Sequence, residues 1–382
     1  MISTSQTSHL DSIDSFLAME VFAKAQALEA QGRDIIHLEF GEPDFTAPPA
    51  AAESVKKSME INDAGYTFSQ GLEELRIEIA KKYANDYGVK ILPEQVLVSN
   101  GSSLLLYLAI RILAPPGSQV ILTDPCYACY ENVVRLAGAE PVMIKLRHED
   151  GFQLNVDDLK KRVTAKTRAI LINSPMNPTG VVFSSEVMTA LAKLDIPVIS
   201  DEIYADLSFE DPPCSFLSYS PQTVAIHGFS KSYAMTGWRL GYMITPLEWM
   251  SAAYRLHQNL MISATEFVQE AGIWGLQKSK AYRESMKTEF NRRRLFVLER
   301  MRELGMDLGY TPTGAFYVLY KYRDSGKSSL DLCHEVLEKT GVAIAPGRDF
   351  GLGAEGFVRI SYAQSMENLG LALNLLAESM LL

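Results

Sequence analysis

Cysteine is scarce in this chain of 382 residues. The four, Cys126, Cys129, Cys214 and Cys333, are too few for a disulfide-built scaffold and ordinary for a reducing compartment. Long apolar runs are missing as well: the most apolar stretch, Leu104 to Ile110, ends at Arg111, well short of the ~18 residues that suggest a membrane span. Basic charge is not in excess. With 36 Lys and Arg against 46 Asp and Glu, the net charge is −10, which gives no electrostatic footprint for nucleic acid or for an anionic membrane. The opening segment, MISTSQTSHLDSID, has neither a basic n-region nor an apolar h-region, so no secretory signal is read and a cytoplasmic protein is expected. Internal repeats and low-complexity stretches are also missing. What is plentiful is apolar content, 47%, enough for a sizeable core in two or three domains at ~150 residues each. Small, locally recognised ligands are the expected partners.

Between about residues 95 and 245, short β-rich runs recur with helical patterns between them: QVLVS (95 to 99), QVILTD (119 to 124), PVMIKL (141 to 146), RAILIN (168 to 173), PVISDE (197 to 202) and TVAIHG (223 to 228). Several are apolar on both faces, as a mostly parallel sheet covered by helices requires, so the core is expected to be a doubly wound α/β sheet. Ligands bind such sheets beyond the carboxyl ends of the strands. Residues 15 to 31 read as a helix stopped by Gly32, with Phe16, Met19, Val21, Phe22 and Leu28 apolar. Residues 278 to 304 read as a long helix whose Arg292, Arg293 and Arg294 are expected on a solvated face. GAFYVLYKY and GFVRISYA then read as strands and residues 366 to 382 as a final helix, giving a smaller α+β domain assembled from both termini.

Some familiar strings fail in context. GLGAEG (351 to 356) matches a dinucleotide-binding pattern but precedes a strand instead of joining a strand to a helix, and it is read as a flexible loop. GKS at 326 to 328 lacks the leading glycine of a phosphate loop, since position 321 is Lys. Cys126 and Cys129 form a CxxC with no second pair and no histidine nearby, so no metal site is expected. GFSKS lacks the final glycine of a nucleophile elbow.

The segment richest in chemistry is HGFSKSYAMTGWRLGY (227 to 242), which places Lys231 just after a strand, among small residues, with Arg239 eight positions on. A lysine after a strand is by itself an ordinary surface residue. Here three other strand ends carry polar groups. SPMNPTG (174 to 180) sets Asn177 between prolines that rigidify its backbone. DEIY (201 to 204) sets Asp201 and Tyr204 three apart, on one side of an expected helical turn. NGSSLLL (100 to 106) opens an apolar helix whose first N–H groups suit a phosphate.

Together with FGEPDF (40 to 45), AGYTFSQGLEELR (64 to 76), DPCYACY (124 to 130) and the late FVRISYA, these motifs run through nearly the whole chain. In that order and spacing the sequence resembles the class I/II aminotransferases, pyridoxal-phosphate enzymes of fold type I. The resemblance implies a mostly parallel seven-stranded sheet with helices on both faces in a large cofactor-binding domain, residues 46–280, and a small α+β domain from residues 1–45 and 281–382. It implies pyridoxal 5'-phosphate as cofactor and a homodimer with shared active sites. The implied reaction is a ping-pong transfer of an amino group from an amino acid to a 2-oxo acid.

Residue by residue, Lys231 matches the lysine that forms the Schiff base and then carries the proton at the substrate α-carbon. Asp201 matches the partner of the pyridine nitrogen. Tyr204 and Asn177 match donors to the ring's phenolic oxygen, and Tyr127 matches the aromatic stacked on the ring. Arg239, Ser102, Ser103 and Ser230 match the phosphate's partners, with Tyr66 reaching it from a neighbouring subunit. Arg359 matches the clamp for the substrate α-carboxylate, helped by Asn177 and the backbone at Gly41.

Two departures stand out. Gly228 replaces a serine that many relatives carry three residues before the lysine, which removes one phosphate hydroxyl. Ser102 stands where some aspartate-using members have Lys, with no obvious second cation for a side-chain carboxylate, which argues against a dedicated aspartate enzyme. Carbon–sulfur lyases and cyclising synthases share the scaffold and much of the residue set, and are the alternative. A non-catalytic regulator is disfavoured, because about 40 residues before FGEPDF leave too little chain for a DNA-binding domain and the charge opposes DNA.

Overall fold

A computed structural model describes residues 10–61, 65–323 and 326–380. The expectation about a leader partly concerns residues 1–9, and the last two positions of the expected final helix are 381–382, so both reach outside the described residues. In chain order the strands are β1 (Ile36–His37), β2 (Val96–Ser99), β3 (Gln119–Asp124), β4 (Glu140–Lys145), β5 (Thr167–Asn173), β6 (Val198–Asp201), β7 (Thr223–Gly228), β8 (Gly241–Ile244), β9 (Tyr317–Lys321), β10 (Val342–Ala343), β11 (Ala345–Pro346) and β12 (Phe357–Ser361). The helices are α1 (Leu17–Glu29), α2 (Pro49–Ile61), α3 (Glu73–Asp86), α4 (Ser102–Leu113), α5 (Cys129–Leu136), α6 (Val156–Lys160), α7 (Ser185–Ala192), α8 (Leu247–Met261), α9 (Glu266–Lys278), α10 (Lys280–Glu303), α11 (Ser329–Thr340) and α12 (Met366–Met380).

Seven strands form the main sheet in the order β2-β8-β7-β6-β5-β3-β4. Its pairs are parallel from β4 through β7, whereas β8 runs antiparallel to both β7 and β2. Alternate residues of each strand feed opposite faces, as a pleated strand dictates. On one face Leu97, Leu122, Leu171 and Ile226 pack with Leu105, Leu108, Tyr130 and Val134 from α4 and α5. On the other, Ile121, Ile170 and Ile172 meet Phe183, Met188 and Phe216, while Val96, Val98 and Ile244 meet Leu75, Ile79 and Val268. Each fully buried aliphatic side chain contributes about 1.5–3 kcal/mol. The coverage of both faces is what makes the strands read as nearly unbroken apolar runs.

A second core gathers residues from both ends of the chain. The antiparallel sheet β11-β12-β9 and the short parallel pair β1-β10 pack Val318, Val358, Ile360 and Ala343 against Phe290, Val297, Val336, Leu373 and Leu376 from α10, α11 and α12. Between the cores lies a buried ionic cluster. Lys82 Nζ donates to Asp206 at 2.7 Å, Tyr87 donates to the same carboxylate at 2.6 Å, and Arg283 stands 3.6 Å from both Asp206 and Asp86.

Two expectations are corrected. Of the arginine run, Arg292 is exposed and pairs with Glu289 at 2.7 Å, but Arg293 and Arg294 are buried. Arg293 holds Asp44 at 2.6 Å; Arg294 holds Glu210 at 2.7 Å and the Pro312 carbonyl at 2.8 Å. Successive helical residues point about 100° apart, so such a run cannot share one face. The GLGAEG segment is a packed turn, not a flexible loop. Gly353 N–H donates to the Asp124 carboxylate at 2.8 Å, a Cβ on Gly351 would collide with that carboxylate, and Ala354 is fully buried.

Candidate active site

The carboxyl ends of β5, β6 and β7 open into a cavity of about 330 Å³, bounded also by the start of α4, the start of α1 and strand β12. Every site residue singled out in the sequence lines it except Tyr66, which stands at the surface, 84% exposed.

Past β7 the chain doubles back, with Phe229 N–H on the Leu240 carbonyl at 3.1 Å and Met235 N–H on the Phe229 carbonyl at 3.2 Å. This turn presents Lys231 to the cavity, where its Nζ donates to the Gly41 carbonyl. Burial lowers its pKa to about 8; Arg359 and Arg239 add to the effect, against Glu42 and Asp201. A much larger share of the amine is therefore neutral near pH 7 than in a solvated lysine. Gly41 is required where it stands, because a Cβ there would collide with the Tyr317 hydroxyl.

Asp201 closes β6 and is buried. Tyr130 O–H donates to its Oδ2 at 2.7 Å and Ile203 N–H to its Oδ1 at 3.2 Å. Burial raises the carboxyl to about 6, and these two donors together with Lys231 limit the rise. Asn173, at the end of β5, braces the floor: its Nδ2 donates to the Asp201 carbonyl at 2.9 Å and its Oδ1 accepts from Asn177 N–H at 2.8 Å. The α-helical turn expected for Asp201 and Tyr204 is not formed. The chain leaves β6 through a turn and enters a 3-10 turn at Ala205–Leu207. Tyr204 O–H shares a 2.7 Å hydrogen bond with Tyr317 O–H, and Lys231 Nζ lies 5.9 Å from the Tyr204 ring centroid.

Arg359 lies mid-strand in β12, opposite Leu319 of β9 and Ala345 of β11, and is 5% exposed. Its Nη1 donates to Asn177 Oδ1 at 3.0 Å and its Nη2 to the Glu39 carbonyl. The guanidinium lies 4.5 Å from the Tyr317 ring centroid and 4.8 Å from that of Phe350, contacts that favour a cation. Its Nε is buried and has no partner among the described residues. An orphaned buried N–H of this kind is costly unless a ligand oxygen fills the place. Asn177, whose oxygen is engaged by Arg359, keeps its amide nitrogen for a ligand; cis peptide bonds precede both Pro175 and Pro178 around it.

Elsewhere along the cavity wall, α4 begins at Ser102 with no side-chain cap, after Gly101 at φ +89°. The Arg239 guanidinium occupies the space a Cβ on Gly101 would need. It donates to the Thr236 carbonyl at 3.0 Å. An uncapped helix start, a guanidinium and the hydroxyls of Ser102, Ser103 and Ser230 in one cavity are the donor set a phosphate requires. At Gly228 a Cβ would lie 3.0 Å from the Leu240 carbonyl and 3.2 Å from Gly241 Cα. A serine at this position would thus be crowded by the chain entering strand β8.

Residues 33–376 match the model of the class I and II aminotransferases. The chain belongs to this family. It is 39% identical, over 93% of its length and 94% of the relative's, to the (5-formylfuran-3-yl)methyl phosphate transaminase of Methanocaldococcus jannaschii. Among solved structures, the aspartate aminotransferase of Thermus thermophilus with maleate superposes with a TM-score of 0.93 at 34% identity, over 99% of this chain and 100% of that one. A Methanococcus jannaschii protein described as similar in its active site to kynurenine aminotransferases gives 0.90 at 37% identity, over 99% of both. The protein is an aminotransferase, with the α/β fold expected of one.

In this aminotransferase four residues that build the site are not singled out by the sequence: Tyr130, Asn173, Tyr317 and Phe350. Tyr130 had a usable signal, since it stands three residues after Tyr127 where α5 begins. Tyr317 and Phe350 had none, because their roles depend on β9 and on the turn after β11 crossing over Arg359.

Proposed function

We propose that this aminotransferase uses pyridoxal 5'-phosphate to move an amino group from an amino acid to a 2-oxo acid in two half-reactions. The observation carrying this reading is the convergence on one cavity of Lys231, with its lowered pKa, and Arg359, with a buried N–H lacking a partner.

Bound there, the cofactor supplies an electron sink for the pair left at the substrate α-carbon. Arg239, the start of α4, Ser102, Ser103 and Ser230 hold its phosphate; Asp201, braced by Tyr130, faces its ring nitrogen; Tyr127 covers its ring; Tyr204 and Asn177 donate to its phenolic oxygen. Arg359 and Asn177, beside Gly41, orient the substrate α-carboxylate. Lys231 removes and returns the α-proton, a task for a base whose pKa lies near the working pH.

The working unit in this reading is a homodimer. Tyr66, Met59, Ile61 and Phe68 are 60–84% exposed, and Phe68 stacks on Tyr254 beside Ile262. An apolar area of this kind suits a second copy, to whose cavity Tyr66 then contributes. We divide the chain into a large domain, 46–280, and a small one, 1–45 with 281–382; the core gathered by β9, β12, α10, α11 and α12 supports this division. Among the described residues no helix is long and apolar enough to cross a membrane, and we assign the enzyme to the cytoplasm.

The test is a half-reaction. Holoenzyme mixed with amino donors is expected to convert its cofactor to the amino form, and Lys231→Ala to lose turnover while keeping its fold. Release of ammonia and pyruvate with no amino form of the cofactor, from any donor, would sink the transaminase reading.

A further inference from the structure

The names of the relatives span a furan phosphate, aspartate and a kynurenine-type site, so kinship does not select a substrate. The wall of the cavity does. On the aminotransferase reading above, we propose that the amino donor carries a neutral aromatic or large aliphatic side chain, seated against Phe16, Met19 and Phe40, and that dicarboxylic donors are rejected.

Three independent observations converge on this. First, the cavity's lysine and arginines among the described residues are Lys231, Arg239 and Arg359. Each already has an anion or a proton to handle, so within this subunit none of them remains for a second carboxylate. Arg348, in the same turn as Asp349, lines a neighbouring cavity instead, beside Asp14, Glu131 and Arg135. Second, the groups left along the wall include three carboxylates, Glu39, Glu42 and Asp349. A side-chain carboxylate entering there would be desolvated without a partner and would face like charge.

Third, large apolar side chains stand open on the cavity, partly exposed among the described residues. Phe16 is 39% exposed and Met19 48% exposed, one helical turn apart at the start of α1, where side chains three residues apart share a face. The Phe16 ring stacks on Tyr127 at 6.5 Å between centroids and 21° between planes, which extends the aromatic wall away from the position assigned to the cofactor. Phe40 is fixed from behind by Phe22, edge on at 4.5 Å.

Asp349 also fixes this wall in place. Its carboxylate accepts from Leu17 N–H at 2.8 Å and Ala18 N–H at 3.3 Å, which caps α1 and holds Phe16 over the cavity. It is therefore a positioning residue for the side-chain pocket.

Holoenzyme titrated with 3-phenylpropanoate and with succinate tests the proposal. Both offer Arg359 a carboxylate and neither can donate an amino group; binding is read by calorimetry and by the cofactor's absorbance. We expect 3-phenylpropanoate to bind at least about tenfold tighter, and Phe16→Ala to remove most of that margin. Equal or tighter binding of succinate overturns the proposal. The same preparation is then given phenylalanine, tyrosine, leucine, aspartate and glutamate. If aspartate or glutamate converts the cofactor with a higher kcat/KM than every apolar donor, the proposal falls and the transaminase reading stands. If no donor converts it while 3-phenylpropanoate remains the tighter ligand, the transaminase reading falls and the pocket assignment stands.

Discussion

The hydroxyl of Tyr130, on the first turn of α5, donates to Asp201 Oδ2 at 2.7 Å in a fully enclosed setting. A hydrogen bond to a buried charged group is worth about 1.5–3 kcal/mol, so this contact decides how easily Asp201 ionises. Tyr130→Phe removes a donor from a carboxyl that burial has already raised to about 6, and the carboxyl must rise further. The expected outcome is a roughly tenfold or greater fall in kcat with little change in KM, and an acid limb of the kcat profile displaced to higher pH. An unchanged pH profile would show that Tyr130 only fills space.

Lys231 gives a prediction about apoprotein. Its amine attacks the cofactor's aldehyde in the neutral form, and its pKa is lowered to about 8. The second-order rate of cofactor capture should therefore rise about tenfold per pH unit below 8 and level off above it. Stopped-flow absorbance of wild-type apoprotein and Lys231→Ala checks this. A flat rate between pH 6 and 9, or covalent capture by the variant, would contradict the role given to Lys231.

The Lys82 and Asp206 pair concerns stability. Burial disfavours both charges, but Lys82, His227 and Arg283 together hold Asp206 well below the usual carboxylate range. A carboxylate depressed in the folded state contributes stability that is present above its unfolded pKa, about 3.9, and is lost as pH falls. Lys82→Met leaves Asp206 buried with less compensation and should cost about 3–5 kcal/mol, read by urea unfolding at pH 7. The variant should also lose less stability than the parent on acidification from pH 5 to 3. A variant within 1 kcal/mol of the parent at pH 7 would mean that the remaining cations suffice.

Much of this molecule could be read from its residues, for a physical reason. A strand buried on both faces has to be apolar throughout, so β3, β5 and β7 fall within a residue of the runs QVILTD, RAILIN and TVAIHG. Groups that follow such strands land at the sheet's carboxyl edge wherever the helices go, and that is why Lys231, Asp201, Asn177 and Arg239 meet in one cavity. Strand β8 was invisible as a strand, because GYMI is short, begins with glycine and follows a motif that reads as a loop. The burial of Arg293 and Arg294 is not legible locally, because charge in sequence does not reveal an acid 249 residues away, as Asp44 is from Arg293. Tyr317 and Phe350 belong to the same class: a side chain whose meaning comes from a crossing of distant elements leaves no local trace.

Those two arginines have a mechanical consequence. They are adjacent on α10 yet grip different parts of the chain, Arg293 the FGEPDF segment at Asp44 and Arg294 the Glu210 and Pro312 loops. Turning the helix about its own axis to relax one grip must stretch the other. α10 therefore behaves as a keyed shaft, and the strip carrying Gly41 and Glu42 is held to the same bearing as the loops of Glu210 and Pro312.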